Sequence, residues 1–118
     1  MTNGSVLVLS NDTLITALLL SLLELEGFTL LHGDGTEAAA VVVERLKPRL
    51  LLLDSHLPEA RMEALYHAVA TAGTVAVLFS PGHARADVEA MARARGLPWF
   101  TLPIGRTRLR ELLLDALG

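Results

Sequence analysis

The sequence predicts an α/β domain in which five helices cover both faces of a doubly wound, five-stranded parallel sheet. Apolar runs typical of strands alternate five times with runs typical of helices along the 118-residue chain. This alternation is typical of βαβ units around a parallel sheet. The hydrophobic content of 52% and the mean hydropathy of +0.46 agree, because such a sheet is buried on both faces. We expect residues 1–118 to form a single domain.

Local signals mark the boundary of each element in turn. Polar residues 10–12 end the first strand and cap the first helix, and Gly27 stops that helix. Pro48 ends the second helix, and the uninterrupted apolar run at 50–53 is typical of a central strand. Glycine and proline punctuate the remaining elements in the same way. The predicted strands are 5–9, 28–31, 50–53, 74–79 and 99–102, and the predicted helices are 13–26, 36–46, 59–71, 84–95 and 106–117.

Charge and composition exclude several classes of function. The net charge is −3, and the nine arginines and one lysine form no basic stripe, so nucleic-acid binding is not expected. The chain has no cysteine, which excludes disulfides and thiolate metal sites. The apolar stretch at 14–25 is too short to span a bilayer. We therefore expect a cytoplasmic protein that does not interact with membranes.

Polar residues stand at the carboxyl ends of the predicted strands, where the functional crevice of a doubly wound sheet lies. Because parallel strands end at one edge of the sheet, these residues are expected to converge. They are Ser10, Asn11 and Asp12 after the first strand, Asp54 and His56 after the third, Ser80 after the fourth, and Leu102 with Pro103 after the fifth.

The four leucines leading to Asp54, the later Pro58, Ser80 and the pair Leu102-Pro103 resemble the receiver domains of bacterial response regulators. The resemblance covers the whole chain and implies a flavodoxin-like (CheY-like) fold with strand order 2-1-3-4-5. It further implies that Asp54 accepts a phosphoryl group from a histidine kinase in two-component phosphorelay signalling. The family's switch positions, a hydroxyl residue and an aromatic residue, are matched by Ser80 and Trp99.

Three positions depart from the family pattern. The family's acidic pair, which helps to hold Mg²⁺, is matched by Ser10 and Asn11, and its lysine is matched by Leu102. Phosphorylating a carboxylate requires neutralisation of negative charge, which Mg²⁺ and the lysine provide. Asp54 with Asp12, Asn11 and the backbone carbonyl of His56 is a poor ligand set for Mg²⁺, so binding is expected to be weak. The sequence therefore predicts an atypical receiver with a degenerate phosphoacceptor site.

Several of these residues have a second interpretation. Asp12 is either a metal ligand or the cap of the first helix. Ser80 either contacts an anion or begins the turn completed by Pro81 and Gly82. Trp99 is either a moving switch or a fixed interface anchor.

Two alternative functions remain open. One is a phosphorelay response regulator in which Asp54 is phosphorylated despite the missing lysine. The other is a flavodoxin-like domain that binds a small molecule in the same crevice. No nucleophile-base pair is evident, so enzymatic activity is not expected.

The first helix has more leucine than one packed face requires. Part of this apolar surface is expected to be exposed, and exposed apolar surface usually marks an interaction face. We expect a homodimer or a docking surface for another signalling protein, formed by the first helix or by residues 99–117.

Overall fold

In the computed structural model, which describes residues 3–33, 35–82 and 85–118, five parallel strands form one sheet. The sheet order is β2-β1-β3-β4-β5, as the resemblance implies, and the fold class is confirmed. The strands are β1 (Ser5–Leu9), β2 (Thr29–Leu31), β3 (Leu50–Asp54), β4 (Val75–Ser80) and β5 (Trp99–Thr101).

The described part of the chain contains five α-helices and one short 3₁₀ helix (Pro58–Arg61), and all but the last helix connect consecutive strands. The helices α1 and α5 pack on one face of the sheet, and α2, α3 and α4 pack on the other. The α-helices are α1 (Thr13–Leu25), α2 (Ala39–Leu46), α3 (Glu63–Ala72), α4 (Arg85–Arg95) and α5 (Arg106–Leu117).

The central strand β3 is buried on both faces. Leu50 and Leu52 contact the core beneath α1 and α5, whereas Leu51 and Leu53 contact the core on the opposite face. This division follows from the two-residue period of a strand. All four leucines are 0% exposed, which explains why an unbroken apolar run specifies this strand.

Two predicted helix boundaries are wrong. The second helix begins at Ala39 and not at residue 36, because Gly35 has a φ of +83° and Ala38 is extended. The third helix begins at Glu63 and not at residue 59, because Pro58 starts a 3₁₀ helix and Met62 returns the chain to an extended conformation.

The remaining boundaries agree with the prediction to within one or two residues. The predicted start of the fourth helix, at residue 84, lies outside the described residues, and α4 is described from Arg85. None of the helices in the described ranges has the length and apolar character needed to cross a bilayer.

Candidate functional site: the Asp54 crevice

Asp54 stands at the edge of the sheet where the strands end. It is the last residue of β3 and aligns with Phe79 of β4. Leu9 of β1 aligns with Leu53, so the next residue, Ser10, reaches the level of Asp54. The predicted convergence of the residues after the first and third strands is therefore observed.

Both carboxylate oxygens of Asp54 receive hydrogen bonds from neutral donors. The Ser10 hydroxyl donates to Oδ2 at 2.8 Å, and the backbone N–H of His56 donates to Oδ1 at 2.9 Å. Asp54 is only 4% exposed, so these bonds replace much of its hydration. The His56 imidazole is further away, with Nδ1 at 3.8 Å from Oδ1 and a side chain 53% exposed.

Ser10 also holds the loop that follows β1. Its oxygen accepts a hydrogen bond from the backbone N–H of Asp12 at 3.2 Å while its hydrogen is directed at Asp54. Ser10 therefore has a structural role, because its hydroxyl links the first loop to the central strand. The sequence signal for this role is a hydroxyl at a strand end, which is too common to be specific.

Asp12 caps helix α1. Its Oδ1 accepts hydrogen bonds from the backbone N–H groups of Leu14 at 3.0 Å and Ile15 at 3.1 Å, as an N-cap carboxylate does. Of the two interpretations of Asp12, the geometry supports the cap.

The residues around Asp54 are a poor fit for Mg²⁺, which requires a near-ideal octahedron of oxygen ligands supplied by one or two carboxylates and by water. Asp54 is already hydrogen-bonded at both oxygens, Asp12 is used as a cap, and the Asn11 side chain is exposed. Within residues 3–33, 35–82 and 85–118, no three His, Cys, Asp or Glu side chains form a metal-binding group. The set Asn11, Asp12, Asp54 and His56 stays a prediction that this geometry does not favour.

The residues at the end of β4 and just after β5, Ser80 and Leu102, are uncharged. Ser80 is fully buried, and its Oγ accepts a hydrogen bond from the N–H of Gly82 at 3.4 Å, which agrees with a turn. The Leu102 N–H donates to the Ser80 carbonyl at 3.0 Å, and the Leu102 side chain packs against the core. Among the described residues, no lysine or arginine forms an ion pair with Asp54.

Two arginines hold helix α4 at its two ends. The guanidinium of Arg85 lies 5.0 Å from the ring centroid of Trp99, and that of Arg95 lies 3.7 Å from the ring of Tyr66. Such cation–π contacts are favourable. Trp99 also packs against the core, which supports a fixed position for this side chain. The sequence did not indicate these contacts, because each joins residues distant in the chain.

An ion pair reinforces the second contact. Arg95 donates a hydrogen bond to Glu63 at 2.6 Å, and this bond lowers the pKa of Glu63 below its ordinary value and raises that of Arg95. Burial raises the pKa of Tyr66, whose hydroxyl donates to the carbonyl of Ala60 at 2.5 Å. Helix α4 is thereby tied to helix α3.

Comparison with protein-family models and with curated proteins gives no match. Solved structures do match. The chain is 17% identical to a response regulator from Thermotoga maritima, with a TM-score of 0.78 over 99% of this chain and 98% of that one. It is 21% identical to a CheY-like response regulator receiver domain protein from Methanospirillum hungatei, with a TM-score of 0.71 over 96% and 92% of the two chains.

A third match is NtrX from Brucella abortus, at 25% identity and a TM-score of 0.78. The comparison covers 99% of this chain but only 26% of the NtrX chain. Together with the strand order 2-1-3-4-5, these similarities show that the chain has the CheY-like fold of response-regulator receiver domains.

The cap at Asp12 is testable by substitution. Asp12→Ala should lower the free energy of unfolding by about 1 kcal/mol, because two backbone N–H groups lose their acceptor. Urea denaturation checks this value. Asp115→Ala is the matched control, since Asp115 is exposed near the end of α5 and should change stability by no more than about 0.5 kcal/mol. Unchanged stability of Asp12→Ala together with a loss of Mg²⁺ binding would favour the metal-ligand interpretation.

Proposed function

We propose that this chain is a receiver-like signal-transduction module of two-component type, in which phosphorylation of Asp54 is absent or inefficient. It acts by binding other proteins, a histidine kinase or another signalling protein among them, and catalyses no reaction. One observation carries the proposal: the buried Asp54 carboxylate accepts hydrogen bonds from Ser10 and from a backbone N–H, and no lysine or arginine in the described part of the chain forms an ion pair with it.

The chemistry of acyl phosphate formation explains why the neutral surroundings of Asp54 disfavour its phosphorylation. An incoming phosphoryl group brings several negative charges against the Asp54 anion, and a receiver must neutralise them to reach the transition state. Here a neutral hydroxyl lies against Oδ2, and the residue that follows β5, Leu102, has an apolar side chain. Neither group offers the electrostatic stabilisation that this reaction requires.

The single lysine of the chain cannot replace the missing one. Lys47 is the C-cap of α2 and precedes the first residue of β3, whereas Asp54 is the last residue of that strand. Five strand residues extend about 17 Å at about 3.3 Å per residue. Lys47 therefore lies at the opposite edge of the sheet from the crevice.

The contacts of helix α4 support the proposal that this helix keeps one position in the module. Arg85 with Trp99 and Arg95 with Tyr66 hold its two ends, so movement of this helix would break both contacts. A phosphoryl group on Asp54 would also lack a lysine to connect it to β5. We infer that partner binding does not depend on phosphorylation.

Restoring the family's charged residues tests this proposal. The wild-type chain should remain unmodified by acetyl phosphate and Mg²⁺, whereas the triple variant Ser10→Asp, Asn11→Asp, Leu102→Lys should gain a phosphoryl group, measured by intact mass spectrometry. Adding Asp54→Asn to the triple variant should abolish the gain. Rapid stoichiometric labelling of wild-type Asp54 would instead support the alternative, a working phosphorelay regulator.

We further propose that the module forms a homodimer through helix α1. The exposed stripe on this helix consists of Leu14, Leu18, Ser21 and Leu25, and the leucines are 80%, 52% and 63% exposed. Residues 13–23 carry no charge, so two copies do not repel each other there. In an antiparallel pair, Leu14 of each copy faces Leu25 of the other, which is the self-complementarity that two-fold symmetry requires.

Light scattering tests the dimer. The wild-type chain should approach twice its mass of 12.7 kDa as concentration rises, and Leu18→Glu should weaken association at least about tenfold, because a charge would be desolvated at the contact. Val41→Glu on α2 is the matched control, since Val41 is also an exposed apolar residue, 48% exposed. A wild-type chain that stays monomeric at millimolar concentration would contradict the dimer.

A further inference from the structure

A second concave site lies beside the Asp54 crevice, between α1, the end of β2 and the start of α2. We name it the β1–β2 cleft. Its volume is about 340 Å³, which lies within the range of small-molecule sites. Its apolar floor is formed by the buried side chains Leu7, Val42 and Leu57.

A threonine of helix α1 forms part of the cleft wall. Thr16 on α1 lines the cleft, and its hydroxyl oxygen is buried and makes no hydrogen bond with the described residues. A helical threonine ordinarily bonds a backbone carbonyl one turn earlier, and Ser21 on the same helix does so with Ala17 at 2.9 Å. Buried hydroxyls nearly always have partners, and rotation of the Thr16 side chain toward the cleft would let this hydroxyl bind a polar atom of a ligand.

The charged residues of the cleft favour a cation. Glu37 and Glu59 line it, and no lysine or arginine is among its described lining residues. The Glu37 carboxylate is paired with Arg45. Glu59 is partly buried and forms no ion pair with the described residues, so its charge is available to a ligand. The Glu59 charge disfavours an anionic ligand, and the cleft therefore differs from a phosphate or nucleotide site.

We propose that the β1–β2 cleft binds a small organic amine, with its apolar body on the leucine and valine floor and its polar groups toward Thr16 and Glu59. Ser10 lines this cleft and donates a hydrogen bond to Asp54 on its other side. A bound amine would therefore lie next to Ser10, the residue whose hydroxyl donates a hydrogen bond to Asp54. Binding at the cleft does not require phosphorylation of Asp54.

A charge series of probes tests the ligand class. Tyramine and hexylamine are titrated into the full chain and followed by ¹H–¹⁵N NMR, beside tyrosol and para-hydroxyphenylacetate, which share the tyramine ring but are neutral and anionic. The amines should give saturable shifts at Thr16, His32 and Val42, with tyrosol at least about tenfold weaker and the anion without effect. Absence of saturable shifts with both amines, or equal binding of the anion, would overturn the proposal.

Two variants locate the site. Thr16→Val removes the hydroxyl at nearly constant shape and Glu59→Gln removes the charge, and each should weaken tyramine binding about tenfold. Thr107→Val and Glu44→Gln are the matched controls, because these exposed residues do not line the cleft and should bind tyramine as the wild type does. Thermal unfolding of each variant without ligand verifies that it is folded. Wild-type affinity in folded Thr16→Val and Glu59→Gln would exclude this cleft as the amine site.

Discussion

The central strand β3 is buried on both faces, and the carboxylate at its end must find hydrogen-bond donors within the protein. Asp54 is 4% exposed, and an unpaired buried charge is costly. The Ser10 hydroxyl meets this requirement from the neighbouring strand, together with the His56 backbone N–H. A hydrogen bond to a charged group contributes about 1.5–3 kcal/mol, so the Ser10–Asp54 bond is a substantial link between β1 and β3.

Under the proposed function, the residues at positions 10, 11 and 102 are consistent with each other. A receiver that places further carboxylates beside its phosphoacceptor raises the electrostatic energy of that group, and a metal ion and a lysine offset the repulsion. We propose that the uncharged side chains of Ser10 and Asn11 spare Asp54 this repulsion. Leu102 can then pack against the core without leaving an uncompensated charge in the crevice.

The sequence predicted the structure best where a single local pattern of residues determines an element. The apolar run of β3 predicted a central strand, and the polar residues after the first and third strands predicted the crevice. The predicted starts of α2 and α3 were wrong because Ala38 and Met62 are extended. Neither alanine nor methionine is a residue type that signals a break in a helix.

Contacts between distant residues could not be read from the sequence. Arg85 with Trp99 and Arg95 with Tyr66 depend on how helices pack against the sheet and against each other, and arginine is common on exposed surfaces. The partnership of Ser10 with Asp54 depends on the β1–β3 register, which a single sequence does not specify. The buried hydroxyl of Thr16 is likewise evident only once α1 has been placed beside β2.

The most direct test of the account is the response of the wild-type crevice to Mg²⁺ and beryllofluoride, which mimics a phosphoryl group on the acceptor carboxylate. Backbone amide resonances of His56, Ser80 and Thr101 should keep their positions in ¹H–¹⁵N NMR spectra, because Asp54 keeps the donors that it already has. Saturable shifts at all three residues would contradict the account, since they would show that the crevice assembles a working phosphoacceptor site without the missing carboxylates and lysine.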